Sequence, residues 1–186
     1  MNSRQLILVN NQDQQIGTAN KLAAHLNGQL HRAFSVFLFN NNDEFLLQQR
    51  ALGKYHTPGL WSNTCCSHPY DGDELKTAAA KRLDEEMGVS TSLTEIFSAP
   101  YQAKFSNGLV EHEIDHIFVG RFDGTPMINT DEVRDWTYKS LAEIEAEMAC
   151  FPNEYTPWFK LIYVSAYKYF KGMDDLPDFR TTQLIS

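Results

Sequence analysis

Residues Phe34–Phe39 read Phe-Ser-Val-Phe-Leu-Phe, an almost unbroken apolar run rich in β-formers. With no polar–apolar alternation, it predicts a strand buried on both faces, and such a strand needs further layers above and below its sheet. Gln5–Val9 reads as another strand and Asn10–Gln15 as a polar turn. Asn40–Glu44 is turn-forming, and Phe45–Gln49 is expected to return as the partner strand. Lys21–Leu26 fits either a short helical turn or a loop. Further β-rich runs lie around Ile96–Phe105 and Leu109–Phe122 and at Val133–Tyr138. Asp73–Met87 places apolar residues at 75, 78, 79, 83 and 87, which is helical spacing, and Gly88 suits the helix end. Leu141–Ala149 reads as a helix. The last helix opens at Thr156-Pro157, where Thr can cap and Pro fits the first position, and runs amphipathically to about Phe170. The expected architecture is an α+β sandwich, a mixed β-sheet packed between helices. No repeat or linker interrupts the chain, so one domain over residues 1–186 is expected. The tail after Lys171 has no readable feature and is expected to be poorly ordered from about residue 172.

The chain has 186 residues, 42% of them hydrophobic, enough for a sizeable core. A net charge of −8 excludes a general nucleic-acid binder, which needs an excess of Lys and Arg, but not a small phosphorylated ligand held by a local cluster of cations. No apolar run approaches the roughly 20 residues that cross a bilayer. The three cysteines are odd in number, and Cys65 and Cys66 are adjacent, so no disulfide framework is read. A cytoplasmic protein with room for a working thiol is expected.

Gly53–Gly72 forms a loop-like stretch long enough to suggest function. Downstream, Val110-Glu111-His112-Glu113-Ile114-Asp115-His116-Ile117-Phe118 alternates, so Glu111, Glu113 and Asp115 share one face of a strand. Such a face must be wet, protonated or joined to a cation. A solvated sheet edge meets that condition as well as a metal does. His112 and His116 fall on the other face, with a packing or surface role. His25, His31 and His68 lie in separate segments. Brought together with two carboxylates they would make a mixed nitrogen–oxygen site for Mn²⁺, Mg²⁺ or Zn²⁺, but nothing in their spacing requires convergence.

Ser67–Val89 resembles, imperfectly, the Nudix box, whose helical glutamates hold Mg²⁺ against a diphosphate. Leu83, Glu85, Glu86, Gly88 and Val89 match. Asp73 stands for the first Glu, Lys81 for Arg, Arg82 for the Glu of the Arg-Glu pair, and Ser67 for the opening Gly. Arg82 and Glu86, four apart, share a helical face, as a functional pair or as an ordinary surface ion pair.

A second resemblance is more specific. Arg50-Ala-Leu-Gly-Lys54, Trp61-Ser-Asn63 and Cys66-Ser-His68-Pro69 are similar to the hallmark segments of the type I isopentenyl-diphosphate isomerases, a Nudix-like family. Leu30–Ser35, Tyr101, Val110–Glu113 and Thr156-Pro157-Trp158 extend the similarity over nearly the whole chain to the final helix. Ser67 departs from the Gly of many bacterial members.

This resemblance implies that Cys66 is the catalytic thiol and Glu113 its acid–base partner, with Tyr101 helping on the glutamate side. Trp158 would stabilise a carbocation. His25, His31, His68, Glu111 and Glu113 would form the metal site, and Glu86 would hold a diphosphate-bridging Mg²⁺. Lys21, Arg50, Lys54 and Arg82 would bind the diphosphate. Trp61 and Trp136 are left to packing. The implied activity is interconversion of isopentenyl and dimethylallyl diphosphates, with a small prenyl diphosphate as partner. Two alternatives stay open: a Nudix hydrolase acting on a nucleoside diphosphate derivative, and a non-catalytic domain that binds metal or a prenyl diphosphate.

Overall fold

The apolar run becomes β3 (His31–Phe39), at the middle of a ten-stranded mixed sheet. The computed structural model describes residues 4–54, 56–173 and 183–185. One edge of β3 pairs in parallel with β8 (Val110–Arg121), from His31↔Glu113 to Phe39↔Arg121. β8 continues antiparallel to β7 (Thr94–Lys104), and β7 takes β10 (Gln183–Ile185) in parallel on its far side. The other edge of β3 is shared. It meets β1 (Leu6–Val9) at Leu8↔His31, β6 (Cys65–Ser67) over residues 34–36, and β4 (Phe45–Arg50) at residues 38 and 39. β1 pairs with β2 (Gln15–Ala19), and β4 with β5 (Trp61–Ser62) and β9 (Val133–Lys139).

Both faces of this sheet are covered, as the unbroken apolar strand requires. On one side Phe37, Phe39, Ile117 and Val119 pack with Ile144 of α3 (Leu141–Cys150) and with Phe159, Ile162 and Ala166 of α4 (Pro157–Phe170). On the other, Phe34, Val36, Leu38 and Phe118 pack with Ala79, Leu83 and Met87 of α2 (Leu75–Met87). Full burial of such side chains contributes about 1.5–3 kcal/mol each, so these two layers are the main source of the fold's stability. Gly88 ends α2 at φ +61°, and a Cβ there would lie 2.6 Å from the Met127 carbonyl oxygen, so the position requires glycine.

Several expectations are corrected or settled. Lys21–Leu26 is helical, within α1 (Lys21–Asn27), because the Asn20 side chain accepts the Leu22 N–H and Gly28 closes the helix at φ +59°. β2 has no apolar periodicity to reveal it, being an outer strand whose residues are exposed or half-buried. The stretch 53–72 holds two short strands, β5 and β6. The Thr156 side chain does not cap α4; its Oγ1 lies 3.0 Å from Ser62 Oγ instead, while Pro157 holds the first helical position. Of the tail expected to lack order from residue 172, residues 174–182 and 186 lie outside the described residues, and 183–185 form β10. Among the described residues no helix is long and apolar enough to cross a membrane.

Candidate active site

Glu111, Glu113 and Asp115 alternate onto one face of β8, and all three are buried. The solvated-edge alternative is overturned, because β8 lies between β3 and β7 and has no free edge here. Three adjacent buried negative charges would repel strongly, and the surroundings push the three carboxyls in different directions. Burial, then Glu113, push the Asp115 carboxyl well above the usual range, in the direction of its neutral form. Ser35 Oγ lies 2.8 Å from its Oδ2. Burial also pushes Glu111 up, but hydrogen bonds from His25 and His56 outweigh it and hold Glu111 well below the usual range. Burial and Glu111 raise Glu113, yet His68 and His31 prevail and keep it ionised. On the opposite face His112 Nδ1 meets the Gly28 carbonyl at 2.9 Å, and His116 lies between Glu95 and Asp13.

The three separate histidines converge on these carboxylates. One ligand atom each from His25, His31, His68, Glu111 and Glu113 lies within 4.8 Å of the others. α1 delivers His25, β3 delivers His31 opposite Glu113 in register, and the segment after β6 delivers His68. His25 Nε2 is 3.0 Å from Glu111 Oε2, and His68 Nε2 and His31 Nε2 are 2.6 and 3.4 Å from Glu113 Oε1. His25 Nδ1 and His31 Nδ1 contact the carbonyls of Lys21 and Gln29 at 2.6 and 2.8 Å. A carbonyl only accepts, so both Nδ1 atoms carry a proton and both Nε2 atoms turn toward carboxylate oxygen. Burial lowers the His25 pKa, but its bond to Glu111 outweighs it, so this ring can carry a second proton on Nε2 and donate it to Glu111. His31 Nε2 is buried without a hydrogen-bond partner. Burial and Lys21 push His68 down to about 4, which leaves a neutral ring able to ligate. Imidazole nitrogens facing carboxylate oxygens in a buried cluster form a donor set that fits a divalent cation.

Beside this cluster lies a cavity of about 70 Å³, against β3 at Phe34 and Ser35. Its wall includes Cys66, Tyr101, Glu111, Glu113 and Trp158, together with Lys21, Arg50, Lys54, Arg82 and Glu86. Every site residue expected from the sequence therefore reaches this cavity or the histidine–carboxylate cluster beside it. Cys65 and Cys66 alternate on β6, so Cys65 enters the α2-side core and Cys66 faces the other layer. Burial pushes the Cys66 thiol up to about 12, with Arg50 pulling the other way, so it rests protonated. Tyr101 donates to Glu113 Oε2 at 2.6 Å. Trp158 Nε1 donates to Ser62 Oγ at 3.0 Å and to Asn63 Oδ1 at 3.2 Å, and Asn63 Nδ2 donates to the Cys65 carbonyl at 2.7 Å. The Trp-Ser-Asn motif thus ties the indole to the strand that carries the thiol. The Arg50 guanidinium carbon lies 5.3 Å from the centre of the Trp158 ring.

The cations are held in place by acids. Arg82 Nη2 lies 2.8 Å from both Glu86 Oε1 and Glu132 Oε2, and Lys54 Nζ contacts Glu132 and lies 3.8 Å from Glu86. The Arg82–Glu86 pair is no ordinary surface pair, since Glu86 is 2% exposed. Burial lowers the Arg82 pKa, but Glu86 and Glu132 more than reverse it. Gln48 Nε2 donates to Glu86 Oε2 at 2.9 Å. Gln48, His56 and Glu132 were not anticipated. Only the position of His56, within the long 53–72 stretch, carried a signal.

A family model described as the NUDIX domain matches residues 29–159. An isopentenyl-diphosphate Delta-isomerase 2 from Aromatoleum aromaticum is 49% identical over 154 residues, covering 83% of this chain and 82% of that protein. An isopentenyl-diphosphate Delta-isomerase from Pectobacterium atrosepticum is 45% identical over 168 residues, covering 90% and 94%. Among solved structures, DR0079 from Deinococcus radiodurans superposes with a TM-score of 0.71 at 18% identity, covering 86% of this chain and 98% of that one. That likeness concerns the fold alone.

Proposed function

Because the chain belongs to the NUDIX-domain proteins and, among them, to the isopentenyl-diphosphate Delta-isomerases, we propose that it interconverts isopentenyl and dimethylallyl diphosphates by proton exchange with Cys66 and Glu113. The observation that carries this mechanism is the placement of a thiol, Cys66, and a carboxylate, Glu113, on the wall of one small cavity, with Tyr101 and Trp158 beside them.

Moving the double bond adds a proton at the terminal alkene carbon and removes one from C2, with tertiary cationic character at C3 between. One group must give a proton while another takes one. Cys66 and Glu113 exchange these roles between the forward and reverse directions. Tyr101, donating to Glu113 Oε2, orients that carboxylate and stabilises its charge. The Trp158 ring, anchored through Nε1, offers a face to the developing cation, a contact worth about 2 kcal/mol when desolvated.

Lys21, Arg50, Lys54 and Arg82 bind the diphosphate, giving an acidic protein a local site for an acidic substrate. Glu86, on the same wall, would hold a Mg²⁺, which would supply further positive charge to the diphosphate site. His25, His31, His68, Glu111 and Glu113 would hold a second divalent ion, Mn²⁺, Mg²⁺ or Zn²⁺, which would supply positive charge beside the Glu113 carboxylate. Three free thiols and a phosphorylated small-molecule substrate agree with a cytoplasmic setting.

The test is to incubate the protein with isopentenyl diphosphate and divalent metal and follow the product by NMR. Dimethylallyl diphosphate is expected with no phosphate release. Phosphate or pyrophosphate release without isomer would overturn the reaction, and full activity in Cys66→Ala would overturn the mechanism.

A further inference from the structure

We infer that His56 is a positioning residue for the metal-binding carboxylate Glu111, coupling the metal cluster to the substrate cavity. The inference rests on the metal-site reading given above. The two oxygens of Glu111 are divided between two imidazoles: His25 Nε2 lies 3.0 Å from Oε2, and His56 Nε2 lies 2.8 Å from Oε1. His25 belongs to the five-residue metal-binding group, whereas His56 does not. It approaches Glu111 from the cavity side, where it forms part of the wall.

The surroundings of His56 fix both its ring and its tautomer. Its plane stacks on Phe105, with centroids 5.3 Å apart and 15° between planes, and it meets Trp158 at 5.9 Å and 86°. Its Nδ1 lies 3.1 Å from Thr57 Oγ1, so the hydroxyl can donate to Nδ1 and leave the proton on Nε2, facing Glu111. Thr57 holds a φ of +46°, a conformation that a β-branched residue adopts only when its surroundings impose it. Arg50 Nη2 donates to the His56 carbonyl at 3.3 Å, tying the same turn to a diphosphate-binding cation.

A carboxylate with two free oxygens can ligate through either, through both, or swing away. With Oε1 engaged by the His56 N–H, Glu111 presents Oε2 alone to the metal, and its rotation is stopped before the ion arrives. Removing such an outer partner typically weakens metal affinity about 10–100-fold. Because His56 also touches the proposed cation-stabilising indole, it carries metal-site order directly into the wall that contacts the carbon chain.

The test compares His56→Gln with His56→Met, two side chains of similar reach of which only Gln can donate. Each chelator-treated protein, checked for folding by circular dichroism, is titrated with Mn²⁺ under equilibrium dialysis. The Met variant is expected to lose about 10–100-fold in Mn²⁺ affinity, and the Gln variant to stay near wild type. A Met variant that binds like wild type, or a Gln variant as weak as Met, overturns the inference about His56. A wild-type protein that takes up no Mn²⁺ overturns the metal-site reading itself and the inference with it.

Discussion

Tyr101 and Glu113 are register partners across β7 and β8, and the Tyr101 phenol donates to Glu113 Oε2 at 2.6 Å. The other carboxylate oxygen lies within 2.6 Å of His68 Nε2 and 3.4 Å of His31 Nε2. The two oxygens of Glu113 thus face different partners, two histidines on one and a phenol on the other. Burial, then Glu113 itself, push the Tyr101 pKa well above its ordinary value, so the phenol remains a donor throughout the working pH range.

Tyr101→Phe removes that donor and leaves the ring in the core. A hydrogen bond to a charged group contributes about 1.5–3 kcal/mol, so a loss of roughly 10–150-fold in kcat is expected. KM should change little, because Tyr101 is not among the diphosphate-binding cations. Steady-state kinetics of the variant separate the two parameters.

The Cys66 thiol, pushed up to about 12 by burial, rests as SH at neutral pH. Alkylation at this residue in the free enzyme should therefore keep accelerating above pH 9, where an ordinary thiol, with a pKa of about 8.5, has levelled off. Mass spectrometry resolves Cys66 from the exposed Cys150. Cys66→Ala should lower isomerisation by about 10²–10⁴-fold, the usual share of a general acid–base group.

What the sequence made legible followed from local pattern or from motif. The apolar run at Phe34 implied two covering layers, and the alternation at Glu111, Glu113 and Asp115 placed three acids on one face. Whether that face was wet depended on β3 and β7 closing both edges of β8, and such pairing across the sheet leaves no local mark. His56 meets Glu111 across a sequence separation of 55, and Gln48 meets Glu86 across one of 38. A single polar residue in a turn or strand gives no hint of such a partner. Thr156 carried a capping signal, but a tertiary partner, Ser62, took its hydroxyl.

Behind the site, His116 joins two elements. Its Nδ1 lies 2.7 Å from Glu95 of β7, and its Nε2 lies 3.0 Å from Asp13, in the turn between β1 and β2. Burial lowers the His116 pKa, but Asp13 and Glu95 outweigh it and the net shift is upward. A raised folded-state pKa stabilises fully below the unfolded value of about 6.5 and is lost as pH rises through the folded value. His116→Gln should abolish this pH-dependent contribution, on the order of 1 kcal/mol for a partly exposed pair or roughly 2–4 °C in melting temperature. Melting curves of the two proteins, compared from pH 6 upward, should converge as pH rises.

Glu132 occupies Lys54 and Arg82, two of the cations proposed to bind the diphosphate. The hydrogen bonds that Lys54 and Arg82 make to it hold its carboxyl below the usual range against the effect of burial, so it is a resident anion in their company. Its backbone is fixed, with the carbonyl accepting from Ala51 N–H and its own N–H donating to the Asn129 carbonyl, so only the side chain can give way. A diphosphate bound by these two cations would compete for them with this carboxylate. Glu132→Gln keeps the shape and removes the charge, so the competition falls and the ligand should bind more tightly. Inorganic pyrophosphate titrated calorimetrically in the presence of Mg²⁺ should show roughly a 3–10-fold lower Kd, about 1 kcal/mol as for a partly exposed ion pair. The KM for substrate should fall with it, and kcat should fall if product release limits turnover. A weaker pyrophosphate complex would mean instead that Glu132 serves to orient Lys54 and Arg82 and does not compete for them.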